Sequence, residues 1–162
     1  RFAYVFQKNP LVSGTVRENI TYGLNREVSD EELIAVTKKA NCYDCIMSKP
    51  DGFNEDVGLN GSNFSGGQGQ CISIARAMLR DADYLLLDEA TSNLDVLSES
   101  LVTDALNHLM QGKTTIMIAH NYAATKNADH IIVMRDGTAE AVGTPEELLK
   151  TNEYYQIFSQ NL

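Results

Sequence analysis

Basic residues are scarce in this sequence: 13 Lys and Arg stand against 22 Asp and Glu, a formal charge of −9. Phosphate backbones are gripped by clustered Lys and Arg, so DNA and RNA are not expected as partners. The deficit says little against a single nucleotide, which backbone amides and one or two local charges can hold. No apolar run approaches the ~20 residues of a membrane span, and no signal peptide is expected. The chain opens abruptly at RFAYVFQ, without an initiator Met, and is expected to be a piece of something longer. Cysteine is limited to an odd count of three, Cys42, Cys45 and Cys71. Cys42 and Cys45 form a C-x-x-C, but no second Cys or His pair stands nearby to complete a zinc site. Buried small hydrophobes in a reducing cytoplasm are the expected role. Internal repeats and low-complexity segments are lacking too. What remains is 162 residues, 43% of them hydrophobic, which suits one globular domain with a core.

Along the chain, FAYVF (residues 2–6) reads as a short strand ending at Gln7, and GTVRENITYG carries a short helix between two glycines. Ser29 to Glu32 is a capping box, opening a helix expected to run toward Ser48 and to stop before Pro50. The helical block from Thr15 to Ser48 looks like a separate subdomain. PDGFNEDVGLNG is a loop rich in Gly and Asn. YLLLD is a strand that stops at two carboxylates, Asp88 and Glu89. Leu97, Leu101, Val102, Leu106 and Leu109 recur at helical spacing between Val96 and Gln111. TTIMIAH is expected to be a further buried strand, ending at His120, and Asp136-Gly137 a turn between HIIVMR and TAEAVG. Thr144, Pro145 and Glu147 make a well-formed start for the last helix. Apolar strands alternating with helices predict an α/β fold with a parallel sheet covered on both faces.

The stretch NFSGGQGQC, residues 63–71, places Ser65, Gly66 and Gly67 together ahead of a helical pattern, Ile72, Ile74, Ala75, Met78 and Leu79. Small residues let something approach the backbone closely, and the first amides of a helix are donors with a partial positive charge, a natural seat for phosphate. A Ser-capped helix behind a flexible turn reads equally well. In parallel sheets the ligand crevice lies at the carboxyl ends of the strands. Gln7, Asp88-Glu89 and His120 each follow a predicted strand. Together they would supply what phosphoryl chemistry needs: a carboxylate for Mg²⁺, a second to orient water, and polar groups for the γ-phosphate.

FSGGQ, LLLDEATSNLD and MIAH, in this order and spacing, resemble the nucleotide-binding domain of ATP-binding cassette (ABC) transporters. VFQKNPLVSGTVRENITYG is similar to the glutamine loop of the exporter type, in which this domain is fused to membrane helices. The resemblance covers nearly the whole chain. It implies a P-loop NTPase-like parallel sheet core, incomplete here, with an inserted helical signature subdomain at about residues 8–80; residues 1–7 and 81–162 would form the rest of the core and the C-terminal helix. It implies an ATPase using ATP and Mg²⁺ at a dimer interface with a second nucleotide-binding domain. The transmembrane domains of a transporter would be further partners, and the location the cytoplasmic face of the membrane.

The same resemblance implies that Ser65, Gly66, Gly67 and Gln68 form the signature motif, offered to the γ-phosphate of an ATP held by the partner subunit. Asp88 would act on Mg²⁺, Glu89 would be the catalytic base and His120 the switch histidine. Gln7 would sense magnesium and the membrane domain, and Asp95 would lie in the loop crossing the dimer interface. Gly69 and Cys71 stand where the family usually carries arginines, Phe64 replaces Leu, and Asn121 stands where Arg is common.

A phosphate loop of the form G-x-x-x-x-G-K-[ST] is the part missing. Gly112-Lys113-Thr114 is the one candidate; its first glycine is replaced by Asn107, and it lies between a helix and a strand, the reverse of what is required. The family's loop and its adenine-stacking aromatic are expected upstream of Arg1, so the chain alone is expected to be inactive. Two other functions stay open: a non-transport relative, acting in DNA repair or on ribosomes, and a truncated, non-catalytic binding module.

Overall fold

The computed structural model describes residues 2–6, 11–91 and 94–160, which divide into two compact units between Met117 and Ile118. The first contains β1 (Phe2–Phe6), α1 (Val16–Thr21), α2 (Asp30–Lys39), α3 (Tyr43–Met47), α4 (Gly66–Leu79), β2 (Tyr84–Asp88) and α5 (Val96–Met110), and β3 (Thr114–Ile118) runs to its boundary. The strands form one sheet in the order β1-β2-β3, with β1 parallel to β2 in register from Phe2 opposite Tyr84 to Phe6 opposite Asp88. The α/β class expected from the sequence holds.

Helix starts are set by side chains. Thr15 with Glu18, Ser29 with Glu32 and Ser65 with Gln68 each form a reciprocal capping box, satisfying donors that the first turn leaves unpaired. The helix expected to run from Ser29 toward Ser48 is two helices. Asn41 breaks it at φ +57°, a left-handed conformation that Asn takes more readily than most residues. Its amide then donates to Leu101 O at 3.1 Å and Asp104 Oδ2 at 2.8 Å, fastening the break to α5. Cys42 consequently stands at the start of α3.

The centre of this unit is α4. Ile72, Ile74 and Ala75 are wholly buried among Val16 and Ile20 of α1, Leu33 of α2, Val102 and Leu109 of α5, and Val5 and Leu85 of the sheet. Cys42 is buried in the same cluster, as expected, whereas Cys45 is half-buried and packs against it; Cys71 is buried there too. Burial pushes the Cys71 thiol up to about 12 and that of Cys42 upward as well.

Three expected faces differ. The sheet buries Ala3, Val5, Leu85 and Leu87, but Phe2, Tyr4, Phe6 and Tyr84 are exposed. Alternation along a strand sends these to the opposite side, where Phe2 stacks on Tyr84 and Tyr4 on Phe6. β3 closes the order of the described strands, and its Ile116, Met117 and Ile118 are exposed rather than buried. On α5 the buried face is Val102, Ala105, Leu106 and Leu109, leaving Leu97 and Leu101 outside.

The second unit is built on the hairpin of β4 (Ile131–Arg135) and β5 (Thr138–Gly143), with α6 (Tyr122–Thr125), α7 (Pro145–Thr151) and α8 (Glu153–Gln160). Asp136 and Gly137 turn it at φ +48° and +78°, the pair of left-handed residues that suits strand twist. Val133, Leu148 and Tyr155 form its core. Thr144 caps α7 with Glu147 as expected; the final helix divides at Asn152, whose side-chain oxygen accepts from Tyr155 N at 2.8 Å.

One buried polar node ties α1 to α4. Asn19, fully enclosed, accepts from Val12 N at 2.9 Å and donates to Val12 O and Thr15 O at 2.8 and 3.0 Å. Arg76 reaches it from α4, with Nε on Asn19 O at 2.6 Å and Nη2 on Asn19 Oδ1 at 2.9 Å. Burial lowers the Arg76 pKa, and the nearby Arg80 lowers it further. Removing the amide leaves Val12 N–H and O and one Arg76 N–H without these partners in a partly buried site. Asn19→Ala is expected to lower unfolding stability by about 3 kcal/mol, measured by urea denaturation; a loss below about 1 kcal/mol would contradict this assignment.

Candidate functional site

At the carboxyl ends of the parallel strands, Asp88 finishes β2 opposite Phe6 of β1, and its side chain is half-buried. Gln7, the residue expected to act here from β1, lies outside the described residues. Beyond Asp88 the chain reverses sharply: Glu89 holds φ +46°, sparsely populated for a side chain of this kind, and is half-buried. Ala90 then turns inward, 9% exposed. The buried amide of Gln70, on α4, donates to both Phe6 O and Ala90 O at 3.1 Å.

Ser65 caps α4. Its Oγ accepts from Gln68 N at 3.3 Å, and its own N–H donates to Gln68 Oε1 at 3.0 Å. Ser65 and Gly66 are exposed at the helix end, while Gly67 is buried. The two glycines have different physical reasons. A Cβ at Gly67 would fall 2.5 Å from Ser98 Cβ and 2.7 Å from its Oγ, so Gly67 is what lets the first turn of α4 lie against that of α5. A Cβ at Gly66 would meet only Leu94 Cδ2, at 3.8 Å. Nothing inside the described residues requires Gly66, the first residue of α4, to lack a side chain.

Asp95 caps α5, accepting from Ser98 N at 3.1 Å. The Ser98 hydroxyl, then its amide, holds the Asp95 carboxyl below its ordinary pKa. Ser98 therefore touches both segments, and the structure brings Ser65 to Gln68 together with Asp95. His120, exposed, and Asn121, which caps α6 by accepting from Ala124 N at 2.9 Å, belong to the second unit.

The departures from the family pattern at Phe64 and Cys71 have local explanations, and the one at Gly69 has none. Phe64 is buried in the core, with Lys49 Nζ 5.2 Å from its ring centroid. Cys71 fits a closed interior position. Gly69 has only Leu11 Cδ1 near its missing Cβ, at 3.8 Å, and no steric need for glycine was found there. Lys113 is held by Asp81 Oδ1 at 3.2 Å and Ala82 O at 2.8 Å, at the amino end of β3, which agrees with its rejection as a phosphate-loop lysine. No motif in the sequence singles out Gln70. It shares the α4 face of Gly67, Ile74 and Ala77, and a polar side chain on a buried face is the signal that could have found it.

Among the described residues no group of three His, Cys, Asp or Glu is placed to hold a metal ion. The half-buried carboxylate of Asp88 is of the type that Mg²⁺ takes, since that ion keeps several waters and is bound through one or two carboxylates plus substrate phosphates. The end of α4 fits an anion in turn: exposed, open at Gly66, and carrying a hydroxyl at Ser65. No helix among the described residues is long and apolar enough to cross a membrane.

Residues 1–92 match the family described as ABC transporter. The chain is 47% identical over 158 residues to leptomycin B resistance protein pmd1 of Schizosaccharomyces pombe, covering 97% of this chain and 12% of that protein. It is 46% identical over 151 residues to ABC multidrug transporter MDR5 of Trichophyton rubrum, covering 93% and 12%. It is 48% identical over 157 residues to the ATP-dependent lipid A-core flippase of Francisella tularensis, covering 97% and 26%. The chain thus spans between 12% and 26% of the length of these curated relatives.

The packing of Gly67 on Ser98 can be tested directly. Gly67→Ala is expected to cost about 1–2 kcal/mol net, the overlap outweighing the gain in helix propensity. Adding Ser98→Gly, which removes the opposing atoms, is expected to recover most of the loss in thermal unfolding. A Gly67→Ala protein as stable as the parent would contradict the contact.

Proposed function

We propose that this chain, which belongs to the ABC transporter family, is the part of an exporter's ATP-hydrolysing domain that carries the signature loop and the catalytic carboxylates. Residues at about 8–80 would form the helical signature subdomain, and residues 1–7 and 81–162 the remainder of the α/β core. In the longer protein this domain would sit at the cytoplasmic face of the membrane, joined to transmembrane domains and paired with a second nucleotide-binding domain.

The observation that carries the reading is Gly66. It is exposed, it is the first residue of α4, and no interior contact explains it. A side chain there would stand between the free amides at the start of α4 and anything approaching along the helix axis. An ATP phosphate of a partner domain is what that opening suits, with the Ser65 hydroxyl beside it.

Mg-ATP, when bound, supplies the phosphoanhydride bond that is cleaved. Asp88, at the end of β2, would hold the magnesium together with Gln7. Glu89 would accept the proton of the attacking water as general base, from the turn in which its backbone leaves β2 at a left-handed angle. His120 would contact the same phosphate. Asp95, clamped by Ser98 beside the signature loop, would cross to the partner domain. The phosphate loop that supplies most of the nucleotide grip would come from elsewhere in the longer protein, and the chain by itself would be inactive.

Glu89→Gln in the full-length protein tests the reading. Gln keeps the shape but is no base, so ATP hydrolysis is expected to fall by roughly 10²–10⁴. Nucleotide binding is expected to survive, and an ATP-bound dimer to accumulate on size-exclusion chromatography. Ser65→Phe in the same background is expected to abolish that dimer by blocking the approach. A fully active Glu89→Gln protein would contradict the assignment.

A further inference from the structure

Gln70 lies in the second turn of α4, 5% exposed, beyond the cap that Ser65 makes. Its Nε2 donates to two carbonyls from distant parts of the chain, each at 3.1 Å: Phe6 O at the last residue of β1, and Ala90 O just after Glu89. A primary amide carries two hydrogens diverging from one nitrogen, and here both are used. A hydroxyl has one hydrogen, an ionised carboxylate none, and Asn is one methylene too short. The position therefore calls for Gln by its chemistry rather than by its volume. The bond to Ala90 closes the turn in which Glu89 holds its left-handed angle. A non-glycine residue persists in such a conformation only where its surroundings over-determine it.

We propose that Gln70 is a positioning residue for ATP hydrolysis, fixing the Glu89 turn and the end of β1 at Phe6 against the helix whose end carries Ser65. It acts through the two carbonyls and is not itself a catalytic residue. The inference rests on the reading of Glu89 as the general base. Because one nitrogen serves both acceptors, a shift of α4 displaces the Glu89 turn and the β1 exit together.

The test uses the full-length transporter. Gln70→Met preserves length and approximate volume while removing both donors. It is expected to lower kcat about a hundredfold, as misplacement of a catalytic group does, with KM for ATP changed by less than about threefold. Gln70→Glu also preserves volume. Near pH 8 its carboxylate repels both carbonyls, and protonation restores one donor, so its kcat relative to the parent is expected to rise as pH falls toward about 6. A role in packing alone produces no such profile. If Glu89→Gln is inactive but Gln70→Met keeps kcat within about threefold of the parent, or loses only KM, the positioning role is overturned and the reading of Glu89 stands. If Glu89→Gln is fully active, the reading of Glu89 fails first. Should Gln70→Met not fold, the pH profile of Gln70→Glu decides, and a profile parallel to the parent's would overturn the proposal.

Discussion

Everything in the first unit follows from one constraint on α4: it is enclosed along most of its length and open at its first residue. Gly67, Gln70 to Ala75 and Ala77 are buried, whereas Ser65 and Gly66 are exposed. Such enclosure requires a side chain suited to each neighbour. Glycine meets α5, branched aliphatics meet α1 and α2, an amide meets the strand ends, and a guanidinium meets the α1 amide node. Burying polar groups is costly unless they are bonded: the buried Gln70 and the half-buried Arg76 are both bonded to main-chain carbonyls, and the buried Ser73 hydroxyl is the exception on α4 among the described residues. The helix is thereby fixed in rotation and along its axis.

That fixing gives the exposed end its meaning. A helix terminus that frays or slides presents its amides to no definite point, whereas a rigid one aims them. The two glycines divide the work: Gly67 closes the interior gap to Ser98, and Gly66 leaves the outer approach open. Ser98 joins this arrangement to Asp95, so the two segments proposed to face a partner domain share a single support. The strand ends are governed from the same helix through Gln70. The Ser65 end of α4, the Glu89 turn and the end of β1 are therefore one mechanical piece in this unit, as the proposed site would require.

Much of this was legible in the sequence because its signals are local. The Ser29 capping box, the Ser65 cap, the apolar run YLLL ahead of two carboxylates, and the Asp136-Gly137 turn depend on neighbours within a few residues. The failures come from long-range choices. Asn41 breaks a helix that its own stretch would have continued, because α5 offers acceptors for its amide. Leu97 and Leu101 have the right spacing to be buried, but the α4–α5 contact at Gly67 and Ser98 rotates α5 to bury Val102, Ala105, Leu106 and Leu109 instead. β3 is apolar and still exposed, since it ends the order of the described strands. Ser65 was read equally as a cap and as a phosphate ligand; its geometry makes the cap real without excluding the other, since the cap uses the oxygen as acceptor and leaves the hydroxyl hydrogen to donate.

Hydrogen exchange on the full-length protein tests most directly whether α4 and the strand ends behave as one rigid piece. Amides from Cys71 to Ala77 are expected to be among the slowest to exchange and to open together with those of β1 and β2, as members of one cooperative unit do. Gly66 and Gly67, at the open end of the helix, are expected to exchange fast. Protection in α4 that is lost while β1 and β2 stay protected, or exchange in its interior as rapid as in the segment from Tyr22 to Val28, would contradict the account.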